Sequence, residues 1–103
     1  MIEILYDRSE PRLTLRGHAG EAMPGRDIVC AGVSALVYAL ALQVEAMEKR
    51  GLVADVHVQL RRGRADIRCR PVEEGPVLAA FDTVAGGLRV ISKSYRKNVR
   101  FWG

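Results

Sequence analysis

Residues 27–51 read DIVCAGVSALVYALALQVEAMEKRG, and the fold follows from how this stretch must be covered. Asp27 is a favoured helix N-cap directly before an apolar run. The run continues to about Arg50 and stops at Gly51, a C′ glycine preceded by Glu48, Lys49 and Arg50. Val33, Val37, Leu40, Val44 and Met47 form one stripe at helical spacing, while Ile28, Val29, Leu36 and Leu42 fall on other faces. A helix apolar nearly all round needs cover on more than one side. A single sheet covers one side, and the remainder points to a partner subunit, a second copy of the same helix. A membrane span is the competing reading. Ile28–Leu42 is only 15 residues and runs into Gln43, Glu45, Glu48, Lys49 and Arg50, short of the roughly 20 apolar residues a span needs. A buried helix of a soluble protein is expected.

Both flanks of this helix alternate. Ile2, Ile4 and Tyr6 share a face opposite Glu3 and Asp7. After Ser9-Glu10-Pro11, Leu13, Leu15 and Gly17 share a face opposite Arg12, Thr14, Arg16 and His18. Period-two patterns around a turn read as a β-hairpin. Gly17 to Arg26, with three glycines and Pro24, is a loop. Beyond the helix, Val56, Val58 and Leu60 alternate with Asp55, His57, Gln59 and Arg61, and Ala65, Ile67 and Cys69 with Asp66, Arg68 and Arg70. Arg62-Gly63 is the turn between them. Gly75-Pro76 opens a second helix whose buried stripe is Val77, Phe81, Val84 or Ala85, Leu88 and Ile91. Gly86-Gly87 weakens it by about 1 kcal/mol per glycine, tolerable where another backbone approaches closely. In the tail, Val99 and Phe101 alternate and suggest a short edge strand. The order is ββαββα. The expected fold is α+β in two layers, one antiparallel four-stranded sheet packed by two helices, a homodimer through the first helix.

The chain has 103 residues and 11.4 kDa, which bounds it to a single domain, 1–103. At this mass about 65% of the unfolded surface is buried, enough for one core. An apolar fraction of 49% with 27% charged residues excludes a disordered chain. Sixteen Lys+Arg against 12 Asp+Glu leave +4, and thirteen of the basic residues are arginine. Met1 to Arg8 has no basic start followed by an apolar run, so no signal peptide is expected. The cytoplasm, where thiols stay reduced, is the expected compartment.

Two cysteines do not make a disulfide scaffold. Cys69 falls on the apolar face of a strand and reads as a small buried hydrophobe. Cys30 would be the third residue of the first helix, where the positive end of the helix dipole favours thiolate over thiol. By position alone, core packing and reactivity compete there. His18 shifts the balance: it leaves a strand on the polar side between Gly17 and Gly20, and the loop can fold it back onto Cys30. A thiol beside an imidazole is the minimum for nucleophilic catalysis. His57 lies on the polar face of its strand and reads as solvent-exposed. There is no Cys-x-x-Cys and no helical His pair, so neither a metal nor another cofactor is expected.

Gly17-His18-Ala19-Gly20, followed by Gly25-Arg26-Asp27-Ile28-Val29-Cys30-Ala31-Gly32-Val33-Ser34-Ala35-Leu36, resembles the ribosomal-processing cysteine proteases of bacteria. The similarity extends over the length, the element order and the closing Ser94-Tyr95-Arg96-Lys97-Asn98-Val99. It implies a homodimeric cytoplasmic endopeptidase that removes a short N-terminal extension from a large-subunit ribosomal protein, cutting after aromatic residues. His18 and Cys30 match that family's catalytic pair. Glu21 departs from the pattern, since an aromatic residue is common there.

In that mechanism Cys30 attacks the scissile carbonyl, His18 moves the proton, and backbone N–H groups of the first helical turn hold the oxyanion. Asp27 has two readings: as N-cap it bonds Val29 or Cys30 N–H, or it orients His18. Ser34, one turn after Cys30, either bonds near the thiol or back-bonds to the Cys30 carbonyl. The alternative function is a ribosome- or RNA-associated basic module without catalysis. Arg61, Arg62, Arg64, Arg68 and Arg70 crowd one hairpin, and basic residues flank Tyr95, Phe101 and Trp102 in the tail. A net charge of only +4 argues against nucleic acid as the primary partner. A basic substrate calls instead for a locally neutral or acidic strip, for which Glu21, Glu73 and Glu74 are the candidates.

Overall fold

A computed structural model describes residues 1–18 and 28–103. Period-two apolarity produces the strands β1 (Ile2–Asp7) and β2 (Arg12–Gly17), joined through a turn that carries the buried Pro11. The helix α1 (Ile28–Lys49) follows, then β3 (Val53–Arg61), β4 (Arg64–Pro71), α2 (Glu74–Ser94) and β5 (Val99–Trp102). The strand order is β3-β4-β2-β1-β5. The two hairpins meet at β2 and β4, where Leu13 pairs with Ile67 and Leu15 with Ala65.

The sheet is five-stranded and mixed, not four-stranded and antiparallel. β5 runs parallel to β1, with Ile2 opposite Val99 and Ile4 opposite Phe101. The Ile2 N–H donates to the Asn98 carbonyl at 2.7 Å as the chain turns into this pairing. Without β5, β1 would present an unpaired edge, and sheets that leave such edges bare associate through them. The alternation of Val99 and Phe101 marked the strand, but four residues carry no sign of direction.

Both helices lie on one face. The inward residues Ile2, Ile4, Leu13, Ile67 and Cys69 meet Val33, Val37, Val44 and Met47 of α1 and Val77, Phe81 and Leu88 of α2 in a single core. By length and hydropathy α1 would also suffice to cross a membrane. Its Val33–Met47 stripe instead closes this core. A bulge between Ala54 and His57, with Asp55 at φ 52°, resets the alternation of β3. Val53 and Val58 thus both face inward although five residues apart, pairing with Pro71 and Ile67. β3 is an edge strand, and Val58 stays 40% exposed instead of joining the core as its pattern implies.

The helices pack closely where side chains are missing. A Cβ on Gly87 would lie 2.9 Å from Leu36 Cδ1, and one on Gly32 3.3 Å from Ile91 Cδ1. The Gly86-Gly87 pair thus admits a leucine side chain, not a second backbone, and only at Gly87. Nothing lies within 4 Å of a Cβ on Gly86. Asp82 ties α2 to the sheet, accepting from Tyr6 Oη at 2.8 Å and Arg8 Nε at 3.1 Å. Those two bonds hold its carboxyl below the ordinary range. Burial first, and then the Asp82 contact, push the Tyr6 hydroxyl upward.

Candidate active site

β2 ends at Gly17, whose φ of +99° and contact with the Met1 carbonyl leave no room for a Cβ. Two backbone bonds hold this strand end. The Gly17 N–H donates to the Gly63 carbonyl at 2.8 Å, and the Met1 nitrogen to the His18 carbonyl at 2.6 Å. The β3–β4 turn is thereby pinned beside His18. Gly63 there has φ +73°, and a Cβ on it would lie 2.6 Å from both Cε1 and Nε2 of His18. The missing side chain of Gly63 is thus the seat of the imidazole. Sequence reasoning gave Gly63 only the role of a turn residue, because its contact with His18 is made across two hairpins.

Cys30 stands in the first turn of α1, half-buried. It lines the same cleft as His18, a cavity of about 1180 Å³ between the start of α1, the end of β2 and the β3–β4 turn. Leu15, Val33, Val37 and Leu60 give the cleft apolar walls, and Tyr38 stands at its side. Ser34 lines it too, exposed one turn beyond Cys30. Gly17, Cys30, His18 and Ser34 are therefore brought to one place. Asp27 and Glu21 lie outside the described residues.

The remaining Cys and His are elsewhere. Cys69 is buried among inward sheet residues, and burial pushes its thiol upward. His57 is half-exposed on the opposite face, with Nε2 4.0 Å from Asp66 Oδ2. Among the described residues no group of three His, Cys, Asp or Glu comes together as metal ligands would.

The expected acidic strip is not found among the described residues of the cleft. Glu73 and Glu74 follow β4 at its far end, whereas Arg61, Arg62 and Arg64 at its near end rim the cavity. The hairpin register causes this: β4 starts beside Gly17 and runs away from it. The rim is basic.

A family model described as cysteine protease Prp matches residues 1–100. No curated protein matches significantly. Among solved structures, the ribosomal processing protease Prp of Staphylococcus aureus with a covalently linked product peptide superposes with a TM-score of 0.76 at 23% identity, covering 98% of this chain and 95% of that one. The same protease with a substrate peptide gives 0.72 at 23% identity, covering 98% and 97%. SMU.848 of Streptococcus mutans gives 0.68 at 22% identity, covering 98% and 90%. At these identities the structures share the fold, while the family model spans nearly the whole chain. The chain belongs to the cysteine protease Prp family and is a cysteine protease.

Proposed function

We propose that this protease removes a short N-terminal extension from a large-subunit ribosomal protein, cutting after aromatic residues, with Cys30 as nucleophile and His18 as general base and acid. The observation that carries the assignment is that His18, at the end of β2, and Cys30, in the first turn of α1, line one cleft. The S. aureus relative described as a ribosomal processing protease, and solved with product and substrate peptides, supports the choice of substrate. The apolar walls suit an aromatic side chain beside the scissile bond.

Cys30 Sγ attacks the scissile carbonyl carbon while His18 takes the thiol proton. The carbonyl oxygen becomes an oxyanion beside the N-terminal turn of α1, where the helix dipole favours negative charge. The C–N bond breaks, the proton passes from His18 to the leaving amine, and a thioester remains. The shortened protein leaves as that amine. Water, deprotonated by His18, then attacks the thioester, the extension leaves as a carboxylic acid, and His18 returns the proton to the Cys30 thiolate. The scheme needs no cofactor. Its proposed setting is the cytoplasm.

The active unit is proposed to be a homodimer through α1. Ile28, Ala31, Ala35, Tyr38 and Leu42 recur at alternating spacings of three and four, and all are exposed. That is the stripe of a helix–helix seam, separate from the buried stripe on the sheet.

Incubation with the same organism's ribosomal protein, with the cut site read by mass, tests the function. Cleavage after an aromatic residue is expected, lost at least 10³-fold in Cys30→Ala and in His18→Ala. Iodoacetamide at neutral pH is expected to label Cys30 well before the buried Cys69. Cleavage that persists in Cys30→Ala overturns the assignment.

A further inference from the structure

The helices cover one face of the sheet, and the strand register sets what the open face carries. Arg16 of β2 lies opposite Arg64 of β4, which lies opposite Arg61 of β3. The next row on this face is Thr14, Asp66 and Gln59, and the third is Arg12, Arg68 and His57. Toward the other edge Glu3 stands between Arg16 and Arg100, and Leu5 between Thr14 and Trp102. Like charges directly opposite one another on a sheet are destabilising, yet three arginines stand in line.

Local acids neutralise only part of this face. Arg12 pairs with Asp66 at 2.9 Å and Arg70 with Asp55 at 2.8 Å, while Asp7 is taken by the Ser9 hydroxyl at 2.6 Å. Among the described residues no carboxylate lies within 4.0 Å of the Arg16, Arg61, Arg64, Arg68 or Arg100 guanidinium. Trp102 and Leu5, 46% and 54% exposed, add an apolar platform beside Arg100. A groove of about 330 Å³ crosses the face from Leu5 to Arg64, with Arg12, Arg16 and Arg64 set beside Asp7, Glu10 and Asp66. Arg64 also belongs to the rim of the peptide cleft.

Guanidinium forks match phosphate oxygens, and an exposed indole gives an unpaired base a surface to stack on. An acidic peptide would answer the charges but not Trp102. We propose that the open face of the sheet binds single-stranded RNA, its phosphates on the arginine rows and a base on Trp102, with the strand leading to the cleft past Arg64. The choice of RNA over DNA rests on the ribosomal substrate proposed above. The site also answers a physical difficulty of that substrate. An arginine-rimmed cleft repels a basic protein, and an RNA strand between them removes the repulsion.

Trp102 is the only tryptophan, so its fluorescence reports binding directly. The full chain is titrated with a 12-nucleotide RNA of mixed sequence. Saturable quenching is expected at 50 mM salt. With about three to five phosphates neutralised, affinity falls roughly 20- to 100-fold by 200 mM. Arg68→Glu with Arg100→Glu is expected to weaken binding at least tenfold while peptide cleavage is unchanged, since neither residue lines the cleft. If that pair does not fold by circular dichroism, Arg68→Gln with Arg100→Gln and labelled-RNA anisotropy replace it. Binding is expected to persist in Cys30→Ala, so failure of RNA binding and failure of the protease assignment are read separately. Absence of quenching at 50 mM salt, wild-type binding by the double variant, or equal affinity for polyglutamate overturns the proposal. Tighter binding of DNA of the same sequence overturns the choice of RNA.

Discussion

Gly63 and Gly51 have the same φ of +73°, and they separate two uses of glycine. Gly51 ends α1 with nothing within 4 Å of an added Cβ, whereas Gly63 has the His18 ring at 2.6 Å. Alanine at either position meets the same backbone strain, about 1–2 kcal/mol. Only Gly63→Ala must also displace the imidazole. A misplacement of about 1 Å in a catalytic group costs on the order of 100-fold in rate. Gly63→Ala is therefore expected to lower kcat/KM by roughly that factor, and Gly51→Ala to leave it unchanged at equal loss of Tm. Gly63→Asn, which tolerates the left-handed backbone but keeps a Cβ, is expected to recover stability without activity. Melting curves and peptide cleavage for the three variants decide it. His18 and Cys30 were legible because each stands at a motif next to an element boundary. The seat under His18 was not, since a turn glycine looks the same in sequence whether or not a ring lies over it.

At the scale of elements, the α1–α2 contact divides the Gly86-Gly87 pair. Both glycines lower the helix propensity of α2, and only Gly87 makes room for Leu36. Gly86→Ala is expected to stabilise the protein by about 0.5–1 kcal/mol. Gly87→Ala gains the same propensity but drives Leu36 from its place, and is expected to destabilise by about 1–3 kcal/mol. Urea unfolding of the two variants measures the difference, and equal effects would mean that the helices do not pack through Gly87. The sequence showed the buried stripes of both helices and the faces of four strands. It did not show which of two adjacent glycines touches a neighbour, because neither α1·α2 register nor distance is written in either helix alone. The same limit left the direction of β5 open.

The molecule as a whole has three surfaces with different chemistry. Among the described residues the cleft is apolar with a basic rim, the open sheet face is arginine-rich, and one side of α1 is apolar at seam spacing. For the proposed dimer, light scattering is expected to give twice 11.4 kDa. Ala35→Glu places a charge in the middle of the seam and is expected to return the protein to monomer with its circular dichroism unchanged. Wild-type protein that remains monomeric at tens of micromolar would exclude the seam. Ala31 and Tyr38 belong to both the seam and the cleft. Loss of the dimer is therefore expected to lower cleavage as well.

By itself the sequence determined the first six elements, their inward faces, the buried role of Cys69 and the candidacy of His18 and Cys30. These follow from period, caps and punctuation within short windows, where local sterics and hydrophobic burial act. Tertiary structure decided the fifth strand and its parallel direction, the seat of His18 on Gly63, and the placing of Arg61, Arg62 and Arg64, rather than Glu73 and Glu74, beside the cleft. Each of these depends on residues distant in the chain meeting through strand register. Register is set by the sum of the packing across the whole sheet, and no single window contains it.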